Sequence, residues 1–335
     1  MSAPCDPIAD LGWFGYTERE AAFLYMTGIH SGYFLRRQFL AFLGREDGAI
    51  VQRFLRKSIQ HGHVQPIEYA TGRHLYHLKA KSIYRMLGEE DSQHRRAKGD
   101  RWIKARLMQV DYVLNHLGDP LLETAEHKVS FFHEKLKIPV DDLPQTNFAS
   151  SGKPVYFPDR FPITVRQTAD KRHPEVTLVF IDDGLRSVSA FRRWLEQHAR
   201  FLQALHVGEV VYAAETEWNF KAAEREFQRR FPFRTNSTGH ERNVDHFVSY
   251  LKIRTRYEKQ GREVTLEEMR ILSEGMKLYT SLEERMLLAA WASGRTNEEK
   301  IRAQFDQQTC RLWLRNYLLQ HDYPVWSMKY RRSVL

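Results

Sequence analysis

One apolar run, Val-Thr-Leu-Val-Phe-Ile at residues 176–181, restricts the fold of this chain more than any other feature. Such a run is typical of a strand that is buried on both faces, and this requires helices above and below its sheet. Segments of similar regularity surround it: β-like runs at 155–157, 161–167 and 209–213, and helical patterns at 188–205 and 219–231. The sequence therefore predicts an α/β domain over residues 151–235.

A different order of elements precedes this domain. Thr17 and Glu20 have the spacing of a capping box at the start of a helix. Three short helices are predicted, at 17–27, 34–42 and 49–60, followed by β-like runs at 64–69 and 74–78. Gly72 lies in the four-residue link between the two runs, as expected of a β-hairpin. Three helices followed by a hairpin predict a winged helix-turn-helix within residues 1–88.

The third predicted helix has two faces of opposite character. Its apolar residues, at the spacing of a buried stripe, are Val51, Phe54, Leu55 and Ile59. Its polar face, which can contact bases and phosphates in a major groove, consists of Gln52, Arg53, Arg56, Lys57 and Gln60. Arg73 and His74 at the hairpin tip are expected to lie beside the DNA backbone or minor groove. The alternatives are an ordinary solvated helix face and a winged helix that binds protein.

The positive charge of the chain is concentrated around this motif. Residues 31–106 contain 16 Lys or Arg and 7 Asp or Glu, a net charge of +9 that equals the net charge of the whole chain. The remaining residues contain 35 of each sign, obtained by subtraction from totals of 51 and 42. Concentrated positive charge indicates a polyanionic partner, because binding to phosphates releases their counterions.

Three acids in the α/β domain suggest a second kind of chemistry. Asp159 follows Pro158, and Asp182 and Asp183 follow the apolar strand, a spacing similar to that of the restriction-nuclease core. Carboxylates in such a core bind Mg²⁺ and activate water for phosphodiester cleavage. That motif has a lysine two residues after the acid, and here the lysine is missing. Gly184 stands two residues after Asp182, and Leu185 two residues after Asp183. Turn or helix capping by these aspartates is the alternative that we favour, so that no catalytic residue and no cofactor is expected.

The other parts of the chain predict helices. Residues 89–150 are expected to form a helical connector, and residues 236–335 a C-terminal helical domain that ends in a helix at 307–320. The last three predicted helices are compatible with a second helix-turn-helix. The acids among them favour a plain helical or oligomerisation bundle.

Localisation is constrained by what the sequence does not contain. No run reaches the roughly 18–20 apolar residues of a membrane span, and the first 15 residues do not resemble a signal peptide. Two cysteines far apart, Cys5 and Cys310, indicate a reducing compartment rather than a disulfide framework. We therefore expect a cytoplasmic protein that has no membrane partner.

The winged-helix pattern, Phe157-Pro158-Asp159 and the segment from Val179 to Gly184 together resemble the replication-relaxation proteins of plasmids, phages and conjugative elements. The resemblance covers residues 16–231. That family has Glu-x-Asp at the end of the buried strand. Here Asp182 matches the Asp and Phe180 stands at the Glu position. The resemblance implies a regulator or accessory factor in replication, transfer or transcription of a mobile element, with replication or conjugation proteins as further partners.

The leading hypothesis is thus a sequence-specific protein that binds double-stranded DNA, as a monomer or a homodimer, with an α/β domain that is catalytically silent. Two alternatives from other classes stay open. One is a metal-dependent DNA nuclease that uses Asp159, Asp182, Asp183 and Mg²⁺. The other is an assembly adaptor whose winged helix contacts protein.

Overall fold

The computed structural model describes residues 6–46, 48–147, 154–167, 174–185, 187–205, 207–231, 244–260, 265–279, 282–307 and 311–323. The helices are α1 (Pro7–Leu11), α2 (Glu18–His30), α3 (Arg36–Phe42), α4 (Ala49–Gln60), α5 (Lys81–Met86), α6 (Asp100–Leu114), α7 (Ala125–Val129), α8 (Ser189–Gln197), α9 (Ala199–Ala204), α10 (Phe220–Arg230), α11 (Val244–Gln260), α12 (Leu266–Leu278), α13 (Leu282–Ala292) and α14 (Glu298–Gln307). The strands are β1 (Tyr33–Leu35), β2 (Val64–Ala70), β3 (Arg73–Leu78), β4 (Gln145–Asn147), β5 (Pro154–Tyr156), β6 (Ile163–Arg166), β7 (Glu175–Asp182), β8 (Val207–Ala214) and β9 (Arg311–Leu318). The protein is a mixed α and β chain with several separate cores.

The N-terminal region packs α1–α5 against a small antiparallel sheet of order β1-β3-β2. The predicted capping box is present at the start of α2: Thr17 Oγ1 accepts from the Glu20 N–H, and Glu20 accepts from the Thr17 N–H. The predicted second helix begins two residues late, because residues 33–35 pair with β3 as strand β1. The Gln38 side chain closes that strand-to-helix junction by accepting from the Leu35 N–H at 2.8 Å.

Strands β2 and β3 form the predicted hairpin. Val64 pairs with Leu78 and Glu68 with His74, and the register shifts near the tip. Gly72 adopts a φ of 69°, in the left-handed region where a side chain would be strained. The Glu68 carboxylate accepts from the Gly72 N–H at 2.9 Å, and this hydrogen bond connects the end of β2 to the turn.

Helix α6 is more than the connector that the sequence suggested. Val110 and Val113 belong to the core of the N-terminal region, while Leu107 and Met108 pack in a second core with the strands of the central sheet. Residues 89–150 therefore join two units through a shared buried helix. A hinge between independent domains would require an exposed linker at this point.

The central sheet has the order β6-β7-β8-β9, with β6 antiparallel to β7 and the other two pairs parallel. Alternate residues of β7 enter different cores: Val176, Leu178 and Phe180 face α8, α9 and α10, and Val179 and Ile181 face α6. The apolar run is thus buried on both faces, as predicted. The Glu175 to Asp182 strand lies at the centre of a three-layer α/β arrangement.

The prediction of a helix at 307–320 is wrong. Residues Arg311–Leu318 form strand β9, which pairs with β8 along its whole length, from Val207↔Arg311 to Ala214↔Leu318. The two leucines at 312 and 314 pack in the core, whereas Arg315 lies on the other side of the strand and binds Glu209. This alternation has the period of a strand. The last three elements therefore cannot be a second helix-turn-helix.

Helices α11–α14 form the insertion bundle, which stands in sequence between α10 and β9. They share a core of their own that includes Phe247, Tyr250, Leu251 and Ile301. The C-terminal helical domain predicted at 236–335 is therefore this insertion, and the residues after it return to the sheet. In the part of the chain that the structure describes, no helix is both long and apolar enough to span a membrane.

Candidate nucleic-acid interface

Helix α4 exposes most of the polar face that the sequence assigned to DNA. Val51, Phe54 and Leu55 are buried in the N-terminal core. The exposed polar residues of the helix are Gln52, Arg53, Arg56 and Gln60. Ile59, which the sequence placed in the apolar stripe, is 38% exposed, and Ser58 takes the buried position one residue earlier.

Lys57 does not belong to the exposed face. Its ammonium group donates to the Gly15 carbonyl at 2.7 Å and to the Glu20 carboxylate at 2.5 Å, and it lies over the Tyr16 ring. Glu20 is nearly buried. Lys57 therefore ties α4 to the start of α2, and its charge is already neutralised within the protein.

Arg73 and His74 are exposed at the start of β3, as the sequence predicted for the hairpin tip. We define the α4–wing surface as the exposed polar residues of both elements: Gln52, Arg53, Arg56, Gln60, Arg73 and His74. Among the described residues, none of these six side chains has a hydrogen-bonding or ion-pair partner.

A groove of about 970 Å³ is lined by residues of helix α4 and of the hairpin. Gln52 of the helix and Arg73 and His74 of the hairpin line it. The structure thus brings together residues of the helix and of the wing that are some 20 positions apart in the sequence. Arg36 of α3 and two half-buried tyrosines, Tyr69 and Tyr76, also line the groove and were not predicted.

The third wall of the groove comes from the central sheet. Glu215 follows β8, and Asp322 and Tyr323 follow β9. Tyr323 is buried and fixed twice: its hydroxyl donates to Asp111 at 2.5 Å, and its N–H donates to Glu215 at 3.1 Å.

This wall is also joined to the N-terminal region. Arg37 makes two hydrogen bonds of 2.7 Å to the Asp111 carboxylate. Lys104 pairs with Glu215. Bidentate and charge-assisted bonds of this kind hold geometry well, so the groove has rigid sides. Sequence reasoning had no signal for this wall, because its residues meet only when the strands pair.

Asp159 is engaged inside the protein. It accepts from the Trp194 Nε1–H at 2.6 Å and lies 3.2 Å from His198 Nε2. Burial raises the pKa of Asp159, but the hydrogen bonds from His198 and Trp194 outweigh that effect and lower the pKa to about 2. Lys128 lies nearby, and burial lowers the pKa of its ammonium group to about 8.

Asp182 and Asp183 are held by separate partners. Asp182 accepts from the Tyr212 hydroxyl and from Asn219 at 3.0 Å, whereas Asp183 accepts from Arg101 at 3.3 Å. Each carboxylate also accepts from a backbone N–H two residues further on, as aspartates in turns do. Across the described ranges, no group of three or more His, Cys, Asp or Glu side chains is arranged to hold a metal ion. Asp159, Asp182 and Asp183, which the nuclease alternative would use together, thus have separate hydrogen-bonding partners.

Comparison with known proteins does not add to this description. No protein-family model, no curated protein and no solved structure matches the chain.

Proposed function

We propose that the N-terminal region is a winged helix-turn-helix that binds double-stranded DNA in a sequence-specific manner. Helix α4 would enter the major groove, and the β2–β3 hairpin would act as the wing beside the backbone. The observation that carries this proposal is the absence of protein partners for the α4–wing surface among the described residues. Cations without a carboxylate partner keep their full attraction for phosphates.

The order of elements supports the same proposal. A three-helix unit, α2 to α4, is followed by a hairpin whose first strand packs on the end of α4, and β1 completes a three-stranded sheet. Arg53 and Arg56 are one turn apart on the exposed face of α4, so that both can reach the same stretch of DNA. Gln52 and Arg53 carry the hydrogen-bonding groups that recognise adenine and guanine in the major groove.

The biological process is proposed on the resemblance to replication-relaxation proteins alone. On that basis the protein would act as a regulator or accessory factor of a plasmid or other mobile element, in replication, transfer or transcription. Replication or conjugation proteins, or a second copy of the chain, would then contact surfaces outside the α4–wing surface.

The test is binding of the purified chain to a labelled duplex library over a salt series. Arg53→Ala/Arg56→Ala is compared with Arg256→Ala/Arg270→Ala, which removes the same formal charge from paired arginines of the insertion bundle. We expect the first variant to lose about 3 kcal/mol of binding free energy, roughly 100-fold in affinity. Its affinity should also depend less steeply on salt concentration. The second variant should stay within about twofold of the wild type.

Other outcomes would support other functions. Equal loss in both variants would mean that net charge alone drives binding and would overturn sequence-specific recognition by α4. No binding at any salt concentration would favour the adaptor that contacts protein. Cleavage that depends on added Mg²⁺ would favour the nuclease, although the internal partners of Asp159, Asp182 and Asp183 speak against it.

A further inference from the structure

The groove beside helix α4 has a location that is typical of ligand sites. Glu215 follows β8, and Asp322 and Tyr323 follow β9, so the third wall lies at the carboxyl ends of two parallel strands. Open sheets with parallel strands bind ligands at that edge. The volume of about 970 Å³ is within the range of small-molecule pockets, roughly 300–1,000 Å³.

The walls of the groove differ in charge. Arg36 and Arg73 lie on the side of the N-terminal region, and acids lie on the side of the sheet. Glu215 is neutralised by Lys104. Asp322 is exposed and, among the described residues, has no hydrogen-bonding or ion-pair partner. A ligand that complements both walls would therefore carry an anionic group and N–H donors.

Aromatic side chains also line the groove. Tyr69 and Tyr76 are half-buried and line the groove, and Gln52 adds an amide that both donates and accepts. Aromatic rings stack on nucleobases of any sequence. A carboxylate accepts from the exocyclic amino groups of bases, and an arginine binds phosphate.

We propose that this groove binds a single nucleotide, with its phosphate at Arg73 and the hydrogen-bonding edge of its base at Asp322. The nucleotide is either free or an unpaired nucleotide of a DNA strand. A base-paired nucleotide does not present that edge, so the groove distinguishes unpaired from paired DNA. In its second form the inference rests on the proposed binding of DNA by the α4–wing surface, because the duplex places the unpaired nucleotide beside Gln52.

The experiment uses the full chain and three probes. They are a blunt duplex selected from the library, the same duplex with one unpaired nucleotide at its end or at an internal position, and the four free deoxynucleoside 5′-monophosphates. Affinities are measured by anisotropy and by calorimetry for the wild type, Asp322→Asn, Tyr69→Leu and Arg73→Ala. Asp322→Asn is the sharpest variant, since the residue is exposed and its replacement should leave the fold unchanged.

For the wild type, we expect the unpaired nucleotide to increase affinity about tenfold over the blunt duplex, because stacking of one base on an aromatic ring contributes about that much to affinity. Asp322→Asn and Tyr69→Leu should remove this increase and leave the affinity for the blunt duplex within about twofold. Arg73→Ala should reduce both. Binding of a free monophosphate without the tenfold increase would identify the free nucleotide as the ligand.

Failure of the inference differs from failure of the proposed function. Strong duplex binding with no increase for any unpaired nucleotide, and no binding of any monophosphate, would overturn the nucleotide site alone. Monophosphate binding that depends on Asp322, in a chain that does not bind duplex, would support the site and overturn the proposed function. An increase that persists in Asp322→Asn and Tyr69→Leu would place the unpaired nucleotide outside the groove and overturn the inference.

Discussion

The α4–wing surface and the insertion bundle both display arginines, yet most of the arginines in the bundle pair with carboxylates and those of the α4–wing surface do not. In the bundle, Arg254 pairs with Glu258 at 2.8 Å and Arg270 with Glu274 at 2.9 Å, each four residues along the same helix. Arg302 pairs with Glu298 and Asp245. On α4, neither Arg53 nor Arg56 has such a partner among the described residues.

The reason lies in the sequences of the helices. Helix α4, Ala-Ile-Val-Gln-Arg-Phe-Leu-Arg-Lys-Ser-Ile-Gln, contains no carboxylate, whereas α12 contains Glu267, Glu268 and Glu274. Acids three or four positions from a cation form helix-surface pairs. A paired cation presents a dipole whose field decays within a few ångströms, but an unpaired one acts over the Debye length of about 8–10 Å. Under the proposed function, the local pairing of cations, rather than their number, would distinguish a surface for polyanions.

Acidic pH should destabilise the N-terminal region more than the insertion bundle, and this is the largest effect that we expect. His30 is buried in the N-terminal region, and burial, together with the charges of Lys128 and Arg106, lowers its pKa to about 3. An unfolded histidine binds a proton below pH 6.5, so between pH 6.5 and 3 the unfolded state takes up more protons than the folded state. His30 alone therefore lowers the free energy of unfolding in that window, by about 3 kcal/mol between pH 6.5 and 4, and the buried His63 and His94, whose pKa values are also lowered, act in the same direction.

Hydrogen exchange with peptide resolution, combined with urea unfolding at pH 7, 5.5 and 4, measures this effect. Protection should be lost first in α2 and the sheet that packs with it, while α11 and α12 keep theirs. His30→Gln is the matched variant, and its dependence on pH between 6.5 and 4 should be weaker. An unchanged dependence in His30→Gln would show that other groups cause the loss.

The position of a residue on α4 should decide whether its charge supports binding or stability. Lys57→Met removes the bonds to Glu20 and Gly15 and is expected to lower the free energy of unfolding by about 1 kcal/mol. Its affinity for DNA should stay within twofold of the wild type. Arg56→Met should do the opposite, with unchanged stability and a loss of about tenfold in affinity.

Thermal unfolding and duplex binding of the two methionine variants together check this prediction. The comparison is controlled by chemistry, since both changes replace a neighbouring cation with the same unbranched apolar side chain. A clear loss of DNA affinity in Lys57→Met would mean that Lys57 leaves Glu20 when DNA binds, and that the surface is larger than the six residues assigned to it.

Local pattern was sufficient to predict several elements of the N-terminal region. The Thr17–Glu20 capping box, the apolar spacing of α4 and the glycine of the hairpin each depend on neighbours within a few residues. The Val176 to Ile181 run was also predictable, because burial on both faces leaves a continuous apolar signal. Its burial between two layers is confirmed by the alternation of its residues between two cores.

Distant pairing limited the prediction of the rest. Strand β9 pairs with β8, about 100 positions earlier, and its eight residues carry leucines at spacings that also suit a helix. Lys57 donates to Glu20, which lies 37 positions earlier in the sequence, and Trp194 donates to Asp159, which lies 35 positions earlier. The third wall of the groove forms only when the ends of β8 and β9 meet. Such contacts have no signature in a single sequence.

The smallest effect that we expect comes from freeing arginines of the insertion bundle from their carboxylate partners. Glu268→Gln/Glu274→Gln removes the carboxylates that pair with Arg256 and Arg270, and so adds two unpaired arginines to the insertion bundle. If unpaired charge is what attracts DNA, affinity at low salt should rise by about two- to threefold for all sequences alike. The gain should disappear at high salt, and the preferred sequence should not change.

Binding to a random duplex at two salt concentrations measures this gain in affinity. Glu226→Gln on α10, which frees Arg229, is the control for a single released arginine. No gain in either variant, together with full activity of the α4–wing surface, would show that recognition depends on the shape of α4 and the wing rather than on unpaired charge.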